Sequence, residues 1–269
     1  MNNLQGKITV ITGGASGIGG AIALEFGLHG SSIAILDVDE IALKKQIHIL
    51  QSNNIPAIGF QCDITDEKQC TVTIAQIIKQ YGGIDVLINN AGITQRSLFV
   101  DTHATVYKKV MDVNFFGAIY CTKAAINSII ERKGVIVVIS SIAGIAPLYG
   151  RTGYSASKHA LHGFFESLRA ELKNDGVHVM MVCPGFTQTN LQSRALCGNG
   201  TLNIKDRAIV GREASPQSVA KEIYKGIIKR KRTLVLTTVG KLSYCMAKLL
   251  PRLYERMMAK SVKKEFVKS

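Results

Sequence analysis

Two side chains that could exchange a proton stand four residues apart in Tyr154-Ser155-Ala156-Ser157-Lys158. A tyrosine hydroxyl has an ordinary pKa near 10 and is a poor base at neutral pH. Residues i and i+4 share one face of a helix, so the Lys158 ammonium would favour the phenolate form of Tyr154 by its charge. The spacing predicts acid–base chemistry near neutrality, and the alternative is a surface tyrosine that happens to precede a lysine.

A glycine-rich turn, Thr12-Gly13-Gly14-Ala15-Ser16-Gly17-Ile18-Gly19, stands between a predicted strand and a predicted helix. Glycine permits a tight turn and lets backbone N–H groups approach a pyrophosphate, whose charge meets the positive end of the helix dipole. The spacing T-G-x-x-x-G-x-G differs from the usual G-x-G-x-x-G. Taken alone, the motif fits a dinucleotide site and also fits a purely structural turn.

Two acidic residues follow predicted strands. Asp37 ends the second strand about twenty residues after the turn, where a carboxylate can accept hydrogen bonds from ribose hydroxyls. A solvated acid, or a cap for the helix that starts near Asp39, fits Asp37 equally well. Asp63 closes the third strand beside Ile64, and it fits either an adenine contact or the start of the next helix.

Further motifs follow in order, namely Asn89-Asn90-Ala91-Gly92, Asn114, Ser140-Ser141 and Pro184-Gly185-Phe186-Thr187. Together with the glycine turn and the Tyr154–Lys158 pair, they resemble the short-chain dehydrogenase/reductase family in order and spacing. The resemblance covers residues 5 to about 190 and points to the shorter, single-domain branch with a Tyr-x-x-x-Lys active site.

The resemblance implies hydride transfer between a nicotinamide cofactor and a secondary alcohol or ketone, with Tyr154 moving the proton. It also implies that Ser141 bonds the substrate oxygen and stabilises charge developing there. By the same resemblance Asn114 holds a water in a relay from Lys158 to solvent. The expected cofactor-binding residues are Gly13, Ser16, Gly17, Ile18, Gly19, Asp37, Asp63, Ile64, Asn90, Tyr154, Lys158, Pro184, Gly185 and Thr187.

A non-catalytic dinucleotide-binding sensor or scaffold is the alternative function. Such a protein needs the glycine turn and Asp37, but it does not need a tyrosine whose phenolate form is favoured by a neighbouring lysine. The set Asn114, Ser141, Tyr154 and Lys158 therefore favours an enzyme. Hydrolase chemistry is disfavoured, because the sequence shows no His–Asp pair to activate Ser141.

NAD is favoured over NADP, whose additional 2′-phosphate is usually met by Arg or Lys. Ser16, which precedes Gly17, is uncharged. A carboxylate at Asp37 would repel that phosphate by roughly 1 to 4 kcal/mol at about 4 Å. We therefore expect NAD, with NADP as the less favoured cofactor.

The substrate loop that the resemblance implies covers residues 186–214 and mixes apolar with basic side chains. Its apolar members are Phe186, Leu191, Leu196, Leu202, Ile204, Ile209 and Val210, and its basic members are Arg194, Lys205, Arg207 and Arg212. Such a loop fits an apolar or lipid-like alcohol or ketone, with or without an anionic end. It also fits packing against a neighbouring subunit, and we expect a homo-oligomer, either a dimer or a tetramer.

Residues 238–269 form a basic amphipathic tail after a single catalytic domain at 1–237. On a helix, one side carries Leu242, Met246, Leu249, Leu253 and Met257, and the adjoining side carries Lys241, Lys248, Arg252, Arg256 and Lys263. Pro251 indicates a kink or two helices. The tail fits peripheral contact with an anionic membrane, and equally a helix docked on its own fold or on an oligomer partner.

The charge distribution supports this division of the chain. Residues 229–269 hold 12 Lys and Arg against 2 Asp and Glu, which is +10 of the net charge of +14. The basicity therefore belongs to residues 229–269, which contain no recognisable nucleic-acid-binding motif, and no nucleic-acid partner is expected.

The elements that must position these residues alternate along the chain. Continuous apolar runs predict strands at 7–12, 32–37, 57–62, 84–89, 135–141, 177–183 and 233–236, and helical periodicity falls at 18–28, 40–51, 67–81, 105–131, 154–174 and 216–229. Strands that are apolar throughout are buried on both faces, which is typical of a parallel sheet covered by helices. We predict an α/β fold of Rossmann type, a doubly wound parallel sheet of about seven strands with helices on both faces.

Composition narrows the protein class. With 269 residues and 46% hydrophobic residues, disorder is excluded. The 6 Cys are scattered without a C-x-x-C pair, so we expect reduced core thiols. His159 and His162 lack a third ligand, so no metal is expected. Neither a secretory signal nor an apolar run of roughly 18 residues is found, which predicts a soluble cytoplasmic protein, with membrane association through the tail left open.

Overall fold

The protein is described from a computed structural model covering residues 3–191, 193–203, 208–209 and 211–266. In this part of the chain one sheet of seven parallel strands has the order β3-β2-β1-β4-β5-β6-β7. The strands are β1 Ile8–Thr12, β2 Ser32–Asp37, β3 Ala57–Gln61, β4 Val86–Asn89, β5 Val135–Ile139, β6 His178–Cys183 and β7 Thr233–Val235. The predicted fold class is confirmed.

Helices cover both faces of the sheet. They are α1 Gly17–Leu28, α2 Glu40–Ser52, α3 Glu67–Tyr81, α4 Ala104–Met111, α5 Gly117–Glu131, α6 Thr152–Glu171, α7 Pro216–Ile228, α8 Thr238–Leu249 and α9 Pro251–Val262. Helices α1, α2 and α7 pack on one face, and α3, α5 and α6 pack on the other. The strands are buried on both sides because their side chains pack into two apolar cores, one on each face of the sheet.

The segment predicted as one helix at 105–131 is divided. Between α4 and α5 the chain widens into a π-helical turn, Asp112–Phe116, which contains Asn114. By length and composition alone, the continuous stretch Ala104–Glu131 is the one helix among the described residues that could cross a membrane. Here it is a helix of the fold, because α5 packs against α3 and β4.

Three of the predicted strands, β3, β5 and β7, end earlier than expected, and the ends of β5 and β3 matter for the site. β5 stops at Ile139, so Ser140 and Ser141 lie beyond the strand and open the 3-10 turn Ile142–Gly144. β3 stops at Gln61, which leaves Cys62 and Asp63 in the following loop. Both departures bring polar side chains to the carboxyl edge of the sheet.

The expectation that all cysteines are core thiols is wrong for two of them. Cys62, Cys70, Cys121 and Cys183 are buried, but Cys197 is half-buried and Cys245 is exposed. Cys245 lies on α8, and this helix lies at the protein surface with one side toward solvent. Apolar character alone did not show which side of the helix Cys245 would take.

Candidate functional site

The carboxyl ends of the central strands border one cleft with a volume of about 910 Å³. β1 has β2 on one side and β4 on the other, so the order of the sheet reverses at this point. Ligands of open α/β sheets bind in the crevice at such a switch point. The glycine turn lies at one end of the cleft, and Tyr154 and Lys158 line it further along.

The glycine turn is built for close backbone approach. Gly13 and Gly17 have φ angles of +63° and +56°, in the left-handed region that favours glycine. A Cβ on Gly19 would collide with the Gly13 carbonyl oxygen and the Asn90 amide nitrogen. Gly19 therefore leaves no space for a side chain at this point of the turn.

The start of α1 is free to meet an anion. Its N-cap residue, Ser16, makes no side-chain cap, and the first turn carries no acidic residue. The first N–H groups of a helix have no partner within the helix. With Ser16, Gly17 and Ile18 lining the cleft, the positive end of α1 fits a pyrophosphate.

Asn90 holds the glycine turn in place. Its side-chain amide donates to the carbonyl oxygens of Thr12 and Gly13 at 3.0 and 2.9 Å. Its backbone N–H donates to the Thr12 hydroxyl at 3.0 Å. Asn90 therefore ties the end of β4 to the end of β1 while lining the cleft.

Asp37 lines the cleft at the end of β2. Its carboxylate accepts hydrogen bonds from the backbone N–H groups of Ala15 and Asp39 at 3.0 and 3.1 Å. The cap of α2 is Asp39, whose carboxylate accepts from the Ala42 N–H at 3.0 Å. The capping alternative for Asp37 is thus wrong, and its carboxylate borders the glycine turn.

Asp63 and Ile64 also line the cleft, in the loop after β3. Asp63 accepts from the backbone and hydroxyl of Thr65 at 2.9 and 2.8 Å. The cap of α3 is Asp66, which accepts from the N–H groups of Lys68 and Gln69. Asp63 therefore braces the loop, and α3 has its own cap.

Tyr154 and Lys158 are both buried on α6 with Lys158 one turn after Tyr154. Burial raises the pKa of Tyr154, whereas a hydrogen bond from Ser141 and the charge of Arg151 lower it. Ser141 accepts from the Ala143 N–H at 3.1 Å, which leaves its own proton for donation to Tyr154 or to a substrate oxygen. The three groups predicted to act together border the same cleft.

The Lys158 side chain is buried away from solvent. Its Nζ donates to the Ile139 carbonyl at 2.9 Å, and burial lowers its pKa to about 8. The buried ammonium therefore loses its proton more readily than that of an exposed lysine. A lysine poised in this way can both hold a charge beside Tyr154 and exchange a proton.

Asn114 is buried in the π-helical turn, with both functions of its side chain engaged. Its Oδ1 accepts from the Ile93 N–H at 2.8 Å, and its Nδ2 donates to the Ile93 carbonyl at 2.9 Å and to the Ser157 hydroxyl at 2.8 Å. Asn114 and Lys158 both approach Gly92, where an added Cβ would lie 3.2 Å from Asn114 Oδ1 and 3.5 Å from Lys158 Nζ.

The segment after β6 lines the other side of the cleft, through Pro184, Gly185 and Thr187. A Cβ on Gly185 would lie 2.7 Å from the Thr237 hydroxyl. Within the substrate loop, Ile204, Lys205, Arg207 and Val210 lie outside the described residues. Arg194 donates to the Asp39 carboxylate at 3.1 Å, so the loop reaches across to the start of α2.

The C-terminal helices form a wall of the cleft. Leu242 and Met246 of α8, with Met257 and Val262 of α9, are among its lining residues. The Tyr254 hydroxyl donates to the Pro147 carbonyl at 2.9 Å, which fastens α9 to the loop after β5. Of the arrangements predicted for the tail, docking on its own fold is seen, as two helices separated at Pro251.

No group of three or more metal-ligating side chains was found within the described ranges. His162 instead interacts with Cys183 at 3.6 Å and with Glu166 at 3.1 Å. Burial raises the pKa of the Cys183 thiol to about 12, so it is protonated near neutral pH. Cys183, His162 and Glu166 contact one another in the order thiol, imidazole and carboxylate, as in a catalytic triad. The protonated, buried thiol of Cys183 is nevertheless not a nucleophile.

Comparison with known proteins decides the family. The profile described as short chain dehydrogenase matches residues 7–197. The chain belongs to the short-chain dehydrogenase/reductase family. It is an oxidoreductase by family, and the motifs that suggested the resemblance lie within the matched residues.

Relatives in this family resemble the chain over almost its whole length. Dehydrogenase/reductase SDR family member 7B of Danio rerio is 34% identical over 272 residues, covering 98% of this chain and 88% of that protein. The protein of the same name from Xenopus tropicalis is 36% identical over 272 residues, covering 97% of this chain and 87% of that protein.

Solved structures agree with the fold. A short-chain dehydrogenase from Streptomyces avermitilis has 27% identity and a TM-score of 0.79, covering 96% of this chain and 98% of that one. A short chain dehydrogenase/reductase from Burkholderia phymatum, solved in complex with NAD, has 23% identity and a TM-score of 0.83. It covers 94% of this chain and 96% of that one.

Sequence reasoning did not single out Arg151 and Glu265, which pair beside this short-chain dehydrogenase/reductase site. Arg151 lines the cleft just before Tyr154 and forms an ion pair with Glu265, 114 positions away. The Arg194–Asp39 pair likewise joins residues 155 apart. No short-range spacing signals such contacts, because they form only when distant segments fold together.

Proposed function

We propose that this chain is an NAD-dependent enzyme that interconverts a secondary alcohol and a ketone. One observation carries the proposal: Tyr154, Lys158 and Ser141 border one cleft with the start of α1, whose N-terminus has no side-chain cap. When bound, the nicotinamide cofactor supplies or accepts the hydride. The residues of the chain provide binding, orientation and the proton.

Ser141 holds the substrate oxygen through its hydroxyl proton and stabilises charge developing on that oxygen. Tyr154 donates its proton to the oxygen in reduction and withdraws it in oxidation. Lys158 favours the phenolate form of Tyr154 by its charge. These roles need the three groups in one dry pocket, and burial of Tyr154 and Lys158 supports this arrangement.

Asn114 belongs to the proton relay in this proposal. Because its side-chain amide is already bonded to Ile93 and Ser157, it fixes the π-helical turn beside Lys158. A π-helical turn leaves backbone carbonyls without their α-helical partners and recurs at functional sites. A water held on such a carbonyl would connect Lys158 to solvent.

The cofactor proposed is NAD. The positive end of α1 receives the pyrophosphate, and Asp37 receives the ribose hydroxyls. The rest of the cofactor surface comprises Gly13, Gly19, Asp63, Ile64, Asn90, Pro184, Gly185 and Thr187. Asp37 disfavours NADP because its carboxylate would face the additional phosphate.

The proposed substrate is apolar or lipid-like. Beyond Tyr154 the cleft is lined by Ala146, Leu148, Leu242, Met246 and Met257. Such a wall gains free energy by removing apolar substrate surface from water. Arg212 also lines the cleft and, among the described residues, no ion pair or hydrogen bond is formed by its side chain, so a substrate with an anionic end is also accommodated.

The test is a screen of alcohols and ketones of increasing apolar length, followed through nicotinamide absorbance. We expect turnover with NAD for apolar secondary alcohols and their ketones. Cofactor binding by calorimetry without turnover of any substrate would instead favour the non-catalytic sensor or scaffold.

We also propose peripheral attachment to an anionic membrane through α8 and α9. Leu249, Leu250 and Leu253 are 77%, 55% and 46% exposed at the junction of the two helices. Lys248 and Arg252 are exposed beside them. Exposed leucines next to basic side chains match the apolar boundary and anionic headgroups of such a surface. The location proposed is cytoplasmic, with reversible membrane contact.

A homo-oligomer, a dimer or tetramer, is the proposed assembly. Phe116 and Phe164 are large apolar side chains exposed on neighbouring helical segments, and Phe115 contacts both rings. Aromatic side chains are enriched in protein interfaces. Light scattering during size-exclusion chromatography should give a mass of two or four chains.

A further inference from the structure

A buried ion pair joins the C-terminal end of the chain to the catalytic helix. The Arg151 guanidinium lies 2.8 Å from a carboxylate oxygen of Glu265, and each side chain is 5% exposed. Arg151 is the N-cap residue of α6, three positions before Tyr154. Buried charges are retained only when they are paired, so each partner requires the other.

Glu265 also contacts the substrate loop. Its second carboxylate oxygen accepts a hydrogen bond from the Ala208 N–H at 2.7 Å. The neighbouring Phe266 ring lies 5.9 Å from the Arg151 guanidinium and packs edge-on against Tyr149. One carboxylate therefore connects the C-terminal segment, the substrate loop and the start of α6.

Arg151 supplies a positive charge that acts on Tyr154. The other groups acting on Tyr154 are Lys158 on the same helix, the Ser141 hydroxyl after β5, and the Cys183 thiol of β6. The positive charge of Arg151 favours the phenolate, whereas burial disfavours it. Any group that offsets the charge of Arg151 therefore changes how easily Tyr154 gives up its proton.

We propose that Glu265 is a positioning residue for the reaction: it offsets the charge of Arg151 beside Tyr154 and fastens the substrate loop and the C-terminal segment around the site. The inference rests on the proposed role of Tyr154 as proton-transfer group. Glu265 acts through Arg151 and touches none of the reacting atoms.

If Glu265 acts through its charge, removing Glu265 and removing Arg151 should shift the pKa of Tyr154 in opposite directions. A purely structural role does not predict opposite shifts. In Glu265→Gln the Arg151 charge is no longer offset, so the pKa of Tyr154 falls. In Arg151→Met the positive charge is lost, so the pKa of Tyr154 rises. The double variant Arg151→Met/Glu265→Gln contains neither charge and should lie between the two single variants.

The experiment measures kcat/KM for alcohol oxidation against pH in the full-length protein and in the three variants. Oxidation requires the phenolate, so the activity rises with pH through the Tyr154 pKa. We expect the rise to move to lower pH by about half a unit or more in Glu265→Gln, and to higher pH by a similar amount in Arg151→Met. KM should rise in both, because the substrate loop loses its anchor or its charge balance.

A second readout does not depend on turnover. The phenol of Tyr154 is titrated by ultraviolet difference spectroscopy, with Tyr154→Phe as the reference that isolates its signal. The same order of shifts is expected there. Shifts in the titration without any turnover would leave the inference about Glu265 standing and would overturn the proposed function instead.

Glu265→Gln tests the proposal even if Arg151→Met fails to fold, since glutamine keeps the shape of the side chain and one of its two acceptor oxygens. An unchanged titration and pH profile in a folded Glu265→Gln protein overturns the proposal. Shifts of the same sign in both single variants also overturn it, because loosened packing explains them without any charge effect.

Discussion

Lys158 Nζ stands 5.7 Å from the centroid of the Tyr154 ring, and it donates to the Ile139 carbonyl at 2.9 Å. The first distance brings a cation within reach of the tyrosine, and the hydrogen bond holds it there. The carbonyl belongs to the last residue of β5, so the sheet itself positions the lysine. Proton transfer in the proposed reaction depends on this relationship.

Replacing Tyr154 with phenylalanine removes the hydroxyl and keeps the ring. We expect turnover to fall by about 10²- to 10⁴-fold, the usual contribution of a general acid or base, while NAD still binds. Steady-state kinetics and calorimetry measure the two effects. Tyr81→Phe, on α3, is the matched control and should keep full activity. Near-normal turnover in Tyr154→Phe would rule out the proposed role.

Lys158→Met should raise the stability of the protein and lower its activity. The folded-state pKa of Lys158, about 8, is below the ordinary value of 10.5, so protonation disfavours the folded state below about pH 8. The free energy of unfolding of the native protein should therefore rise from pH 8 to 10.5 through this group. At pH 7 the variant should be more stable, by up to the order of 3 kcal/mol, and nearly inactive.

Denaturant titrations at pH 7 and at higher pH measure this effect. The stability gain of Lys158→Met over the native protein should shrink as the pH rises, because the neutral lysine carries no such penalty. A variant less stable than the native protein at every pH would show that the hydrogen bond to Ile139 outweighs the burial of charge.

Gly19→Ala should prevent cofactor binding, because the added methyl group would meet the Gly13 carbonyl and the Asn90 amide. Gly163→Ala is the matched control, since nothing lies within 4 Å of a Cβ placed at this helical position. The control should be more stable by up to about 1 kcal/mol and should bind NAD normally. Equal NAD affinity in both variants would contradict the proposed role of the glycine turn in binding the cofactor.

Asp37→Ala should narrow the preference for NAD over NADP, because it removes the charge facing the 2′-phosphate. The measurement is the ratio of kcat/KM for the two cofactors. Arg194→Met is the informative companion, since Arg194 lines the cleft and reaches Asp39, next but one to Asp37, at 3.1 Å. If the native protein prefers NADP and Arg194→Met abolishes that preference, the electrostatic argument from Asp37 is wrong.

Attachment to membranes should depend on the leucines at the junction of α8 and α9. The double variant Leu249→Ser/Leu253→Ser should remain in the supernatant when centrifuged with phosphatidylserine vesicles at low salt, whereas the native protein sediments with them. Ile41→Ser removes an exposed apolar side chain from α2 and is the matched control. Binding should weaken at high salt and with phosphatidylcholine vesicles. A native protein that never sediments would exclude the membrane role.

The sequence by itself determined the sheet, the glycine turn and the order of the catalytic motifs. These are readable because they are local: an apolar run of five or six residues needs burial on both faces, and a tyrosine and a lysine four apart share a helix face whatever surrounds them. The caps of α2 and α3, Asp39 and Asp66, are also short polar side chains next to a helix start, but the sequence alone did not separate them from Asp37 and Asp63.

Only the tertiary structure decided what closes the cleft. The tail contains an apolar side that suits a membrane, a partner or its own fold, and the pattern of residues is the same in each case. The contact of Tyr254 with Pro147, and the pairing of Arg151 with Glu265, join segments more than 100 residues apart. Such contacts depend on the relative placement of whole elements, because an ion pair forms wherever packing brings opposite charges together, and no local spacing encodes that placement.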